Sequence, residues 1–242
     1  MFAAEVSRPE AKISLARAAL LAGAEEEPGR ANVARCVARL DEMGEEARAF
    51  AVRRGGSRVE ALNQYLFAEQ GFVGNESDYY DPRNSMLHQV LGRRTGIPIT
   101  LSVVYIEVGR RAGLRVEGVG LPGHFVVRAS EEGGEGVLVD PFNRRLTDQE
   151  ECQSRLDVIY DGRVTLSDEH LRPVGARSIL ARLLGNLKAV YVRAQLFRRL
   201  CTLRVVERNV RAAPCQLQSD SPTDAARRPR HNRRPPVERF SL

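Results

Sequence analysis

The sequence predicts an α+β fold in which a central helix packs on an antiparallel sheet, with a helical cap before it and a short helical segment after it. Three observations carry that expectation. Residues Ile97 to Ala112 set Leu101, Val104, Tyr105, Val108 and Ala112 at spacings of three and four, which is one face of a helix. Two runs rich in β-branched residues, Phe125 to Arg128 and Val137 to Val139, flank an acidic, glycine-rich loop from Glu131 to Gly136, the pattern of a hairpin. Residues 11 to 70 read as helices separated by Pro28 and Gly29 and by Gly55 and Gly56.

Taken in order, the first helical stretch runs from Ile13 through Leu21. A secretory leader could imitate the apolar run Leu15 to Ala24, but Arg17 interrupts it, Glu5 and Glu10 precede it, and three acids follow from Glu25. An amphipathic first helix is expected instead. Val33 to Phe50 and Val59 to Phe67 continue the cap, with Cys36 on the apolar stripe of Val33, Val37 and Leu40. Tyr79 to Pro82 is turn-rich, and Asp81 or Asn84 can cap a helix from Met86 to Arg94 that carries His88 near the surface. The central helix opens with Pro98, where a missing N–H costs nothing, and stops at Gly113, which tolerates the left-handed backbone of a helix end. A strand precedes His124, and the hairpin follows. Beyond it, Thr147 to Leu156 reads as a helix and Val158 to Val164 as a short strand or turn. A second helical pattern spans Ser178 to Val210, with Ile179, Leu183, Leu187, Val190 and Tyr191 on one face, then Leu200, Leu203 and Val206. From Gln216 the chain has four prolines and few apolar residues, so a disordered basic tail is expected. The division that results is 1–35, an N-terminal helical segment; 36–175, the main domain; 176–214, a helical segment; and 215–242, the tail.

Folding the hairpin about the middle of its loop sets His124 near Asp140 on the neighbouring strand. A carboxylate there fixes the imidazole tautomer and stabilises the imidazolium formed when His takes a proton from a nucleophile. The plainer reading is that His124 ends a strand and that Asp140 begins an Asp-Pro turn.

The blocks GIPITLSVVYIEV and GLPGHFVVR, with LNQYLFAEQGFVGNESDYYDPRNS upstream, resemble the SirB family of bacterial proteins. Their main domain is transglutaminase-like, related to the papain-like arrangement, and tetratricopeptide-type helices usually follow it. The resemblance covers most of Ala11 to Leu156 and, more weakly, Ser178 to Pro214. It implies that His124 and Asp140 are the His and Asp of a three-residue constellation. In active members of that superfamily a cysteine opens the central helix, where the helix dipole and a nearby His favour the thiolate. Here Pro98, Ile99 and Thr100 stand at or near that place, and none can form one. The SirB-like proteins share the Gly-Ile-Pro block, so the resemblance implies a family trait. Asn84, Ser85, Pro98, Thr100 and Ser102 are the expected lining of the groove, and Asn84 and Ser85 equally suit helix capping. Thr100 or Ser102 could replace the thiol only with a well-placed base and oxyanion donors. The likeness fades near Cys215, which a frameshift or truncated gene would explain; resequencing the locus tests that.

No other cysteine offers a ready substitute. Cys152 sits among acids that raise a thiol's pKa, and Cys201 and Cys215 belong to the C-terminal part. None of the four has metal-ligand spacing, so no metal or other cofactor is expected, and so few cysteines suit a reducing cytoplasm.

With 242 residues, 43% of them hydrophobic, the chain can build one sizeable domain and a small appendage, and no apolar run is long enough for a membrane span. Of the net charge of +6 the tail carries about half, through Arg227, Arg228, Arg230, Arg233, Arg234 and Arg239 against Asp220, Asp224 and Glu238, which leaves the rest of the chain only mildly basic. Such a tail can hold phosphates weakly, but Phe240 alone offers a stacking surface.

Three functional classes follow: a non-catalytic binding or regulatory protein using the groove on a protein or peptide; an amide- or peptide-bond hydrolase or transferase using His124 and Asp140 with another nucleophile; and nucleic-acid binding through the tail.

Overall fold

The computed structural model describes residues 1–196. At its centre lies α6, Pro98–Arg111, the helix expected from the spacing of its apolar residues. Every residue from Pro98 to Gly109 is buried, so this helix is covered on all sides rather than on the one face that its periodicity predicted. Full burial of each large apolar side chain contributes about 1.5–3 kcal/mol, which concentrates the stability of the fold around α6. Gly113 takes φ +82° just past its end, as a glycine there should.

Helices surround α6. They are α1 (Phe2–Val6), α2 (Leu15–Glu26), α3 (Val33–Arg54), α4 (Arg58–Gln64), α5 (Leu87–Arg93) and, after the sheet, α8 (Ala176–Arg193). Ser14, Asn32 and Ser57 cap α2, α3 and α4 through side-chain oxygens, so the breaks read from sequence are also helix starts. Phe2, Leu20, Leu40, Met43, Leu62 and Leu183 share one apolar cluster with α6. Glu107, buried in the middle of α6, accepts the N–H of Ala16 at 3.1 Å and pairs with Arg111. It thereby fixes the first turn of α2 on the central helix.

The sheet has five strands in the order β6-β5-β4-β3-β7: β3 (Arg115–Val119), β4 (Val126–Ser130), β5 (Val137–Asp140), β6 (Arg145–Thr147) and β7 (Pro173–Val174), all antiparallel. Alternation divides its faces. Val116, Val127, Ala129 and Val139 join the main cluster beneath α6, while Val119, Val126 and Leu138 form a smaller cluster with Leu121, Leu171 and Cys152. Cys152 belongs to α7, Gln149–Tyr160, which continues through Val158 where a short strand or turn was expected; the turn comes at Asp161 and Gly162. A separate parallel pair, β1 (Val73–Gly74) and β2 (Thr95–Gly96), lays the loop 75–85 beside the start of α6. The apolar face of α8 holds Ile179, Leu183, Leu187, Val190 and Tyr191 as predicted, whereas Leu200, Leu203, Val206 and the expected basic tail lie outside the described residues.

Candidate functional site

The β4–β5 register pairs Val127 with Val139 and Ala129 with Val137. Extended outward, it sets Asp140 opposite Val126, two residues beyond the position the sequence assigned to His124. The contact forms all the same, because a diagonal neighbour is within reach of an imidazole: His124 Nε2 stands 2.8 Å from Asp140 Oδ2. Both residues are 3% exposed.

Asp140 does more than begin a turn. Its Oδ1 accepts the backbone N–H groups of Phe142 and Asn143 at 3.0 and 3.1 Å. Its Oδ2 accepts the Asn143 side-chain amide at 2.6 Å and lies 3.5 Å from the Arg155 guanidinium. Burial alone would raise this carboxyl; the charge and hydrogen bond of His124, with Arg155 and Asn143, outweigh it and hold Asp140 far below the usual carboxylate range. An ionised Asp140 can only accept, so Nε2 of His124 donates to it. Among the described residues Nδ1 makes no hydrogen bond. Asn143 escaped the sequence reading, although an Asn three residues after Asp in Asp-Pro-Phe-Asn is the signature of a side-chain-braced turn.

The other predicted lining residues form a second group. Thr100, third in α6, accepts the N–H of Ile97 at 3.1 Å and donates to the carbonyl of Asn84 at 2.7 Å. Asn84 does not cap α5; that position falls to Met86, which has no side-chain cap bond, and Asp81 caps the short turn Pro82–Ser85 through Arg83 N–H. Asn84 instead ties the loop together, donating to the carbonyls of Asp78 and Tyr79 and accepting from Asn75. Ser85 does not cap a helix either: its hydroxyl and that of Ser102 are buried with no partner among the described residues. Pro98 occupies the first position of α6. No hydrogen bond joins this group to His124 or Asp140 among the described residues. Strand alternation places Asp140 on the same side as Leu138, the side that α7 covers.

His88 is braced rather than open. Its Nε2 lies 2.9 Å from Glu27 Oε2, which also accepts from Gln89 at 2.6 Å, and its ring is 6% exposed. Burial pushes the Cys152 thiol up and nearby Asp140 adds to this against a hydrogen bond from Thr147, so burial, more than the flanking acids, is what blunts it. Cys36 is half-buried against the core, and burial raises its thiol as well. Cys201 and Cys215 lie outside the described residues.

A central helix, an antiparallel sheet and a His just before one strand paired with the Asp that ends the next are the parts of one known architecture, and the transglutaminase-like superfamily profile matches residues 34–185. The chain belongs to the transglutaminase-like superfamily. This transglutaminase-like chain is 42% identical over 167 residues to a UPF0162 protein of Xylella fastidiosa, 67% of its own length and 58% of the relative's. It is 30% identical over 141 residues to a UPF0162 protein of Vibrio cholerae, covering 52% of that protein. It is also 33% identical over 149 residues to human F-box only protein 21, covering 60% of its own length and 23% of the relative's. It thus spans little more than half the length of the bacterial relatives it matches. No solved structure gives a significant match. The transglutaminase-like domain read from the Gly-Ile-Pro and Gly-Leu-Pro-Gly-His blocks is therefore borne out.

Among the described residues no helix is long and apolar enough to cross a membrane, and no group of three His, Cys, Asp or Glu is arranged to hold a metal ion.

Proposed function

We propose that this transglutaminase-like protein is a cytoplasmic, non-catalytic binding or regulatory protein whose groove accepts a protein or peptide. One observation carries the reading: the start of α6 has Pro98 where a nucleophile would stand, and the nearest hydroxyl, that of Thr100, is committed to Ile97 and Asn84. A hydroxyl that must break two buried hydrogen bonds before it can attack is a poor nucleophile. His124 and Asp140 then shape a groove wall, with Asn84, Ser85, Pro98, Thr100 and Ser102 on the neighbouring loop and helix. In the same proposal α8 opens a tetratricopeptide-type segment that extends the binding surface.

A second reading has one observation in its favour. His124, oriented through Nε2 by an ionised Asp140 and with no hydrogen bond on Nδ1 among the described residues, is placed as a general base for an amide- or peptide-bond hydrolase or transferase would be. The nucleic-acid reading rests on residues 216–242, outside the described part.

Amide hydrolysis and amine incorporation on a glutamine-containing peptide library, read by mass spectrometry for wild type and His124→Ala, separate the two readings. The binding reading expects no turnover in either protein and retention of particular peptides on the immobilised wild type. Turnover that disappears with His124→Ala would establish the enzyme in its place.

A further inference from the structure

α7 is held differently from the helices around α6. Of its residues only Cys152 and Leu156 are buried, and Cys152 enters the small cluster on the far face of the sheet, apart from the main core. A helix held by so little apolar burial belongs to the low end of local stability. Yet its C-terminal half lies over the His124–Asp140 pair. Arg155 reaches Asp140 Oδ2 at 3.5 Å while remaining 33% exposed. Ile159 and Tyr160 close over Gly123, the residue before His124: a Cβ there would meet Ile159 at 3.1 Å and Tyr160 Oη at 3.4 Å. The other end of α7 is anchored, since Asp148 caps it through Glu151 N–H and Arg145 of β6 pairs with Glu151 at 2.8 Å.

We propose that α7 is an openable cover over the His124–Asp140 pair, latched by Arg155 on Asp140, and that its release is what admits a partner to the groove. The proposal deepens the groove reading above and rests on it for the partner. The two sides of the latch are unequal. Asp140 is fixed by Asn143 and two backbone N–H groups whether or not Arg155 is present, so losing the guanidinium leaves the dyad assembled. Arg155 is partly in water, where an ion pair is weak and screened by salt. A contact of that kind holds a helix closed without preventing its opening, and an acidic group on an arriving peptide can draw Arg155 away from Asp140. The helix then swings about its anchored start near Asp148.

The test is hydrogen exchange of the full chain, with diethyl pyrocarbonate labelling of His124 mapped at the peptide level, for wild type and Arg155→Met. The variant keeps the aliphatic stem and removes the charge. Exchange across 149–160 and labelling of His124 should both rise several-fold, while exchange in 103–108 of α6 stays unchanged. About 1 M salt should produce the same change in wild type and none in the variant. Unchanged exchange and labelling would overturn the proposal, and so would a rise that extends equally into α6, since that reports global loosening. No ligand enters this measurement, so a protein that binds no peptide can still show the cover, and a peptide binder can lack it.

Discussion

The Thr100 hydroxyl and the Asn84 carbonyl, 2.7 Å apart, fasten the start of the central helix to the loop that approaches it from β1. The contact is fully buried, with Thr100 and Asn84 both 0% exposed. One side chain thus caps a helix and positions a loop.

Thr100→Val should therefore cost about 1–3 kcal/mol in urea unfolding, the cost of leaving the Ile97 N–H and the Asn84 carbonyl buried and unpaired. Thr100→Ser keeps the hydroxyl and should recover most of that loss. Equal destabilisation by the two variants would show that the methyl group, and not the hydrogen bonds, is what matters.

Asp140 gives the protein an acid-sensitive element. Its carboxyl is held below its unfolded value, so its contribution is complete above that value and is lost as pH falls through the folded one. Wild-type stability should decline from about pH 5 downward, and Asp140→Asn should be less stable at neutral pH with a shallower acid limb. Denaturant midpoints at a series of pH values measure both; parallel acid limbs would assign the acid sensitivity to other carboxyls such as Glu27 and Asp81, which are also depressed.

Glu107→Leu should cost about 1–3 kcal/mol, because it leaves the Ala16 N–H buried without an acceptor, while Arg111 keeps its other partner, Asp41. Glu107→Gln retains an acceptor and should fall between. Amide exchange at the first turn of α2 locates the loss.

Gly74→Ala should disturb the dyad from a distance. A Cβ at Gly74 would lie 2.6 Å from the Phe142 ring, and the Phe142 N–H is one of the groups holding Asp140. Overpacking of this kind costs about 1–3 kcal/mol. The His124 imidazole resonances should shift with it; resonances identical to wild type would mean that Phe142 yields without moving its backbone.

Cys152 should be inert in the folded protein. A buried thiol whose pKa is raised presents little thiolate, so alkylation mapped to its peptide should be slow natively and fast in denaturant.

Sequence by itself determined the parts of this protein that depend on local order. The spacing of Leu101, Val104 and Tyr105 gave the central helix, Pro98 and Gly113 its ends, the loop 131–136 its hairpin, and the Gly-Ile-Pro and Gly-Leu-Pro-Gly-His blocks the superfamily. Periodicity reports one face, so it could not say that α6 is buried on every side; that required helices distant in the chain to close around it. Likewise, β6 and β7 are two or three residues long and exist because β5 and β3 offer them edges, not because their own residues favour a strand. The pairing of His124 with Asp140 was legible to within two residues of register, but its support was not. Asn143 braces Asp140 through a turn, Arg155 reaches it from a helix fifteen residues on, and Thr100 is bound to Asn84 across a gap of sixteen. Those contacts are set by where whole elements pack, and the choice of partner for a buried polar group is made only when the elements that surround it have come together.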